Sequence, residues 1–116
     1  MTITATDNQM NDEAIKSVRV TAWRWFQASY GNTYFTAKIY VNGAHVATIG
    51  ETYGYGNHYE TVAAKWLESA GYMNGREHHA NGSAEPAWRY FQDRGIAFES
   101  DAKDVKRRRD MLGAIA

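Results

Sequence analysis

The residues of this sequence that could perform acid–base or metal chemistry are few and poorly grouped. The four histidines are His45, His58, His78 and His79. Adjacent His78 and His79 would point in different directions in regular structure, and no His-Glu-x-x-His motif accompanies them. The serines have no nucleophile-elbow context, and the chain contains no cysteine. We therefore predict no catalytic residues, no metal ion and no cofactor, and expect that the protein is not an enzyme.

Two segments rich in glycine and tyrosine, residues 30–34 and 53–59, precede regular elements. Glycines before a helix can expose backbone N–H groups to an anion. Neither segment matches the dinucleotide-binding or Walker pattern, and no lysine follows the glycines. We interpret both as turns in which glycine supplies backbone geometry and tyrosine packs.

Recognition of a macromolecule has better support, because aromatic rings and cations alternate along predicted strands. The candidate partner-binding residues, on one side of the predicted sheet, are Arg19, Trp23, Trp25, Tyr34, Lys38, Tyr40 and His45. Rings on a sheet can stack on the bases of single-stranded nucleic acid. Tryptophan, tyrosine and arginine also anchor protein interfaces. A third interpretation is that the C-terminal half of the chain folds back and covers these rings, and the sequence leaves all three open.

A second candidate is the basic run Lys106, Arg107, Arg108 and Arg109. It would suit a phosphate or an acidic partner, or it could be the solvated face of a helix, tempered by Asp104 and Asp110. The whole chain has 13 basic and 13 acidic residues and a formal net charge of zero. A general phosphate binder or an acidic mimic of DNA usually has a larger imbalance.

The strands that would present these side chains are predicted from alternation with a period of two. The first begins at Val18 and sends Val18, Val20, Ala22 and Phe26 to the core. The second ends at Val41, and the third spans about 44–51. Between the last two, Asn42-Gly43 is the preferred sequence of a type I′ hairpin turn. This turn pairs Val41 with Ala44, Tyr40 with His45, and Ile39 with Val46.

A helix follows, with Asn57 as its N-cap and Glu60 at the spacing of a capping box. Its apolar stripe is Tyr59, Val62, Ala63, Trp66, Leu67 and Ala70, and Gly71 ends it. Ser83 is predicted to cap a shorter helix with Ala87, Trp88 and Phe91 as its buried stripe. Residues 96–98 could add a short edge strand. The pattern after Ser100 fits either a helix or an extended arm.

These elements predict an α+β fold. We expect a three-stranded antiparallel sheet, a meander with an Asn-Gly hairpin, packed on one face by the amphipathic helix and followed by a shorter helix and a basic tail. A chain of 116 residues has room for one domain. We assign residues 1–16 to a disordered N-terminal arm and residues 17–116 to a single α+β domain.

The N-terminal residues lack the basic start and apolar stretch of a signal peptide, and no apolar run is long enough to form a membrane helix. With the absence of cysteine, this predicts a cytoplasmic protein without a membrane partner.

Several strings in the sequence resemble a group of small bacteriophage proteins of unknown function, over about residues 18–111. The strings are VTAWRW (20–25), SYGNTY (29–34), YVNG (40–43), YGYG (53–56) and the segment 104–110. The resemblance implies an accessory protein made in the cytoplasm of an infected host cell.

Such a protein is expected to bind and modulate or inhibit a host macromolecule, including a defence complex such as a CRISPR effector. The expected partner is therefore a host protein or a protein–nucleic-acid complex. The alternatives are a nucleic-acid-binding module that uses the aromatic and basic sheet face and, third, a small enzyme of unknown chemistry. Oligomeric state does not follow from the sequence.

Overall fold

A five-stranded mixed sheet is the frame on which the helices pack. The computed structural model of the protein describes residues 2–5 and 14–116. In chain order the elements are β1 (Ile3–Ala5), β2 (Ser17–Gln27), β3 (Asn32–Val41), β4 (Ala44–Tyr53), α1 (His58–Ser69), α2 (Ala87–Gln92), β5 (Ala97–Val105) and α3 (Arg108–Gly113). The strands lie side by side in the order β1-β4-β3-β2-β5. The protein is therefore α+β, as predicted.

The predicted three-stranded antiparallel sheet forms only the centre of the observed one. Strands β2, β3 and β4 pair antiparallel, β1 adds to β4, and β5 runs parallel to β2. Strand β5 is nine residues long, whereas the sequence suggested only a short edge strand at 96–98. The charged residues at 99, 101, 103 and 104 interrupt the apolar alternation by which a strand is recognised in a sequence. An edge strand tolerates them because it can expose polar side chains on both faces.

The hairpin between β3 and β4 has the predicted type I′ geometry at its turn. Asn42 has a φ of 51° and Gly43 a φ of 80°. The predicted pairs Val41–Ala44 and Tyr40–His45 are confirmed. The third predicted pair is wrong: Ile39 lies opposite Ala47 because the register shifts between Ile39 and Tyr40, which leaves Val46 as the extra residue of a β-bulge.

The main core lies between one face of the sheet and the helices α1 and α2. We call this the helix face. Its fully buried residues include Val20, Phe35, Ile39 and Ile49 from the strands, with Leu67 from α1 and Phe91 from α2. Phe26, expected in this core, is 58% exposed. Phe26 is the penultimate residue of β2. Its side chain still points to the helix face, but α1 and α2 do not extend far enough to cover it.

Helix α1 begins where the sequence predicts but without the predicted capping box. Asn57 has φ −101° and ψ 25°, and its side chain makes no capping hydrogen bond. The end of the helix is a Schellman motif, with the N–H of Gly71 donating to the Glu68 carbonyl and the N–H of Tyr72 donating to the Leu67 carbonyl. Gly71 has the positive φ, 91°, that this motif requires.

The buried stripes of the helices differ from the predicted ones at Trp66, Ala70 and Trp88. Ala70 is exposed because it follows the last residue of α1, and Ala64 is buried instead. Trp66 is only partly buried and packs against Tyr72. Trp88 is 51% exposed, and Tyr90 is buried in its place, with its hydroxyl donating to the Asn74 carbonyl at 2.6 Å. Helix α2 begins at Ala87 instead of near Ser83. This start turns residues 87, 90 and 91 toward the core, because they share one helical face, and leaves Trp88 outside.

The prediction of a disordered arm over residues 1–16 does not hold for the strand β1. Ile3 lies opposite Ile49 in the pairing with β4 and packs against the core. Residues 14–16 approach the hairpin, where the side-chain oxygen of Asn42 accepts a hydrogen bond from the N–H of Lys16 at 2.7 Å. Residues 1 and 6–13 of the predicted arm lie outside the described residues.

Helix α3 packs on the opposite face of the sheet, whereas the sequence predicted a sheet covered on one face by the amphipathic helix and followed by a basic tail. The Thr36 hydroxyl donates to the Met111 carbonyl at 2.7 Å. Both residues are completely buried. The end of the chain is therefore a short docked helix. None of the helices in the part of the chain that the structure describes is long and apolar enough to cross a membrane.

The turn geometry predicts that Gly43→Val destabilises the protein by about 1–3 kcal/mol, because a β-branched residue resists a positive φ. Equilibrium urea denaturation measures the change in the free energy of unfolding. Gly113→Val is the matched control, since Gly113 has no left-handed φ and a Cβ there meets no atom within 4 Å. A Gly43→Val protein as stable as the Gly113→Val protein would contradict the turn assignment.

Candidate binding surface

All seven predicted partner-binding residues lie on the face of the sheet opposite α1 and α2, which we call the far face. Strand register establishes this, because Arg19 lies opposite Tyr40, and Trp25 opposite Tyr34, while Tyr40 lies opposite His45. Side chains directly opposite each other share a face, and this set alternates with the buried residues of the helix face. The far-face residues among the candidates are Arg19, Trp23, Trp25, Tyr34, Lys38, Tyr40 and His45.

Helix α3 divides the far face into two parts. Met111 packs over Thr36 in the middle of β3. Trp23 is half-buried and lines the same depression as Gly113 and Ala114 from the end of this helix. The C-terminal segment therefore does fold back over the centre of the face. The seven candidates do not form one continuous open surface.

The first part is a ladder of aromatic rings at one end of the sheet. Trp25 stacks on Tyr34 with a centroid distance of 5.9 Å, and Tyr34 meets Tyr53 edge-on at 5.7 Å. Trp25 and Tyr34 are half-buried. These contacts fix the orientation of the rings.

Tyr53 of this ladder and three further rings at the same end of the sheet are far more exposed than Trp25 and Tyr34, and among them Phe26 points to the helix face. The exposed fractions are 58% for Phe26, 77% for Tyr30, 57% for Tyr53 and 75% for Tyr55. We call Trp25, Phe26, Tyr30, Tyr34, Tyr53 and Tyr55 the aromatic end.

The antiparallel path of the chain brings the aromatic end together. The end of β2, the turn into β3 and the end of β4 all lie at the same end of the sheet. The N–H of Gly54 donates to the Thr33 carbonyl at 2.9 Å, which ties the segment after β4 to the start of β3. Four of these rings were not among the predicted site residues. The two tyrosine-rich segments were the signal that could have found Tyr30, Tyr53 and Tyr55, whereas the alternation along the strand assigns Phe26 to the core.

The basic run lies beside this end of the sheet, because Val105 at the end of β5 lies opposite Trp25. Lys103, Lys106 and Arg109 line a depression of about 620 Å³ next to Trp23, together with Asp104 and Asp110.

The members of the basic run have different roles. Arg108 forms an ion pair with Glu51 at 2.7 Å and so holds α3 against β4. Within residues 2–5 and 14–116, no ion pair involves Lys103, Lys106, Arg107 or Arg109. The positive charges of these four side chains are therefore available to a binding partner.

The second part of the far face is polar and internally bonded. Arg19 pairs with Glu99 at 3.0 Å and with Asp101 at 3.5 Å. The rings of Tyr40 and His45 lie 5.4 Å apart, and His45 also hydrogen-bonds with Thr48 at 2.8 Å. Arg19 is thus bound to β5, and Tyr40 and His45 contact each other.

Two titratable groups with shifted pKa values, Tyr59 and Glu68, lie outside the far face, and their shifts arise from contacts within the fold. Burial raises the pKa of the Tyr59 hydroxyl, while a hydrogen bond with Ser100 lowers it. The hydrogen bond with His78 lowers the pKa of the Glu68 carboxyl, and Arg76 adds to that effect. His78 is therefore paired with Glu68, at 2.7 Å, instead of being simply solvated.

Arg76 holds the long loop before α2 in place. Its guanidinium is almost completely buried, donates to the Glu85 carbonyl at 2.7 Å and pairs with Glu68 at 3.2 Å. Among the described residues, no group of three or more histidine, aspartate or glutamate side chains is placed to hold a metal ion. This cluster ties the loop to α1.

Comparison with protein-family models, with curated proteins and with solved structures gave no match. The resemblance to small bacteriophage proteins remains a prediction from the sequence.

The docking of α3 predicts that Met111→Ala lowers the free energy of unfolding by about 2–5 kcal/mol, since it removes a fully buried side chain. Arg108→Ala is the control on the same helix, and its exposed ion pair should contribute only about 0–1 kcal/mol. Chemical denaturation of both variants gives the comparison. Equal, small losses in the two proteins would mean that α3 does not dock on the far face.

Proposed function

We propose that this chain is a non-enzymatic binding protein that uses the aromatic end to hold a protein partner and modulate it. The observation that carries the proposal is the grouping of four rings, each more than half exposed, at one end of the sheet. Large exposed apolar patches are uncommon on monomeric proteins and mark interaction sites. Tyrosine and tryptophan are also the side chains that most often dominate binding energy in protein interfaces.

The arrangement favours tight contact at low entropic cost. Tyr53 is held by Tyr34, which in turn stacks on Trp25, so the ladder is ordered before a partner arrives. Tyr30 and Tyr55 lie in the turns beside the ladder and have the largest exposed fractions of these rings. A ring that loses about 100 Å² of exposed apolar surface contributes about 2.5 kcal/mol. Burial of two such rings would therefore account for a large part of a specific affinity.

The resemblance to small phage proteins adds the expected class of partner. It implies that the chain acts in the cytoplasm of a bacterial host and binds a host protein or protein–nucleic-acid complex. A defence complex such as a CRISPR effector is included in that class. The unpaired cations beside the aromatic end suit a partner with an acidic rim.

The double variant Tyr30→Ser/Tyr55→Ser tests this proposal. Neither ring is in the core, so we expect the fold to persist and partner capture from a bacterial lysate to weaken at least about tenfold. Trp88→Ser is the matched control, because Trp88 is another exposed ring, 51% exposed, outside the aromatic end. Capture is quantified by mass spectrometry and folding by circular dichroism. Equal capture of the same protein by the double variant and the wild type would remove the aromatic end from the function.

A second candidate function is the binding of single-stranded nucleic acid. The observation that favours it is the depression in which Lys103, Lys106 and Arg109 surround Trp23. Cations beside a ring suit a phosphate backbone with a stacked base. Asp104 and Asp110 in the same depression weaken its positive potential. For this reason we place this function second.

Fluorescence anisotropy with labelled single-stranded DNA and RNA across a salt series tests the second function. If Lys106 and Arg109 each contact a phosphate, Lys106→Ala/Arg109→Ala weakens binding and lowers the slope of log K against log salt by about 0.7 per lost contact. Arg108→Ala, which removes a cation already paired with Glu51, should leave that slope unchanged. Absence of binding by the wild type at low salt would rule out this function.

A further inference from the structure

Strand β5 lies at one edge of the sheet that the described residues form. The strand order places β2 on one side of β5 and no strand of the described chain on the other. The N–H of Ala97 donates to the Lys16 carbonyl at 3.2 Å, so the backbone of residue 97 faces β2. In a parallel pair, successive residues direct their backbone groups to opposite sides. The N–H and C=O groups of Phe98, Ser100, Ala102 and Asp104 therefore point outward.

The surroundings of this edge leave space for another strand. A groove of about 590 Å³ borders residues 98–101 of β5, and its lining includes Glu60 and Trp88 on the side of the helices and Glu99 on the far face. Trp88 is exposed although it lies beside the buried core. A nine-residue strand with a free edge is a template for the addition of a strand from another chain.

We propose that a second copy of this chain binds along β5, antiparallel to it, so that two five-stranded sheets join into one. The residues whose backbones point outward must pair with each other across such an interface. Only a few alignments of the two β5 strands satisfy this condition. These alignments differ in which charged side chains of β5 face each other.

In the register that places Ala102 opposite Ala102 of the second copy, Asp101 lies opposite Lys103 of the second copy, and this pair occurs twice. Glu99 then lies opposite Val105 of the second copy, so no like charges face each other on the far face. A shift that places Asp101 opposite Asp101 brings two carboxylates together, and one that places Ser100 opposite Ser100 brings Asp101 against Glu99. Opposite charges in directly facing positions stabilise a strand pair, and like charges destabilise it.

The side chains at the centre of this register are suited to their roles. Ala102 is small and half-buried, so two copies can approach closely. Lys103 is exposed and has no ion pair with another described residue. Asp101 already accepts a hydrogen bond from Thr21 at 3.1 Å, which holds its carboxylate on the far face, where Lys103 of the second copy would arrive.

Analytical ultracentrifugation from about 1 µM to about 200 µM tests the proposal, because mass action converts monomer to dimer as concentration rises. The wild type should reach twice the monomer mass. Lys103→Glu places like charges opposite each other twice and should weaken dimerisation at least about tenfold, and Asp101→Lys should do the same. An equimolar mixture of the two variants should recover the dimer, because each mixed pair again joins opposite charges.

Two further proteins separate the edge from general effects of charge and fold. Lys65→Glu makes the same charge change on the exposed side of α1 and should leave the dimer intact. Ala102→Pro removes an outward N–H without breaking a bond to β2 and should give a folded monomer by circular dichroism. A wild type that stays monomeric over the whole range, a Lys103→Glu protein that dimerises like the wild type, or a mixture that stays monomeric would each overturn the proposal. None of these results depends on the capture of a host protein.

Discussion

The alternation of side chains along β2 and β3 is the constraint on which the rest of the structure depends. Val18, Val20 and Ala22 are buried against the helices. Since successive side chains of a strand point to opposite faces, the residues between them must lie on the far face. Arg19, Trp23 and Trp25 therefore lie on the far face, whereas Arg24 and Phe26 alternate with them and point to the helix face.

This constraint gives the far face more apolar surface than a solvated sheet face usually has, and the chain covers part of it with α3. A helix of six residues has little stability of its own, so its position depends on tertiary contacts. Met111 packs over Thr36, and Arg108 pairs with Glu51 at the start of the helix. At the aromatic end, Trp25, Tyr34 and Tyr53 lie on the far face beyond the reach of α3, whereas Phe26 is an exposed ring on the helix side. The candidate binding surface is thus an end of the sheet whose rings the helices leave exposed.

The elements that depend on local patterns could be predicted, and those that depend on single tertiary contacts could not. The Asn42-Gly43 turn and the stripe of α1 carry strong local signals, and both elements are observed. Strand β5 has only one large apolar side chain, Phe98, on its helix-facing side and is recognisable only from its pairing with β2. The position of α3 depends on a few tertiary contacts, the buried Met111 and the ion pair of Arg108 with Glu51.

The residues of the candidate site also fall into two groups: those that a local pattern predicts and those that only the three-dimensional structure brings together. Alternation correctly placed Trp25 and Tyr34 on one face, because register follows from the hairpin and the pleat. The convergence of Tyr30 and Tyr55 with them depends on where two turns meet in three dimensions. The bulge after Ile39, which shifts the pairing of β4, has no local signal as clear as the Asn-Gly turn.

If the aromatic end contacts a partner, as we propose, binding should protect the backbone around it. Amide hydrogen exchange, measured on the protein alone and in complex with a captured partner, reports this protection at each segment of the backbone. We expect slower exchange on binding in the turns at residues 28–33 and 53–57, with no change along α1 at residues 58–69. Protection confined to α1 and α2, with unchanged exchange in both turns, would contradict it.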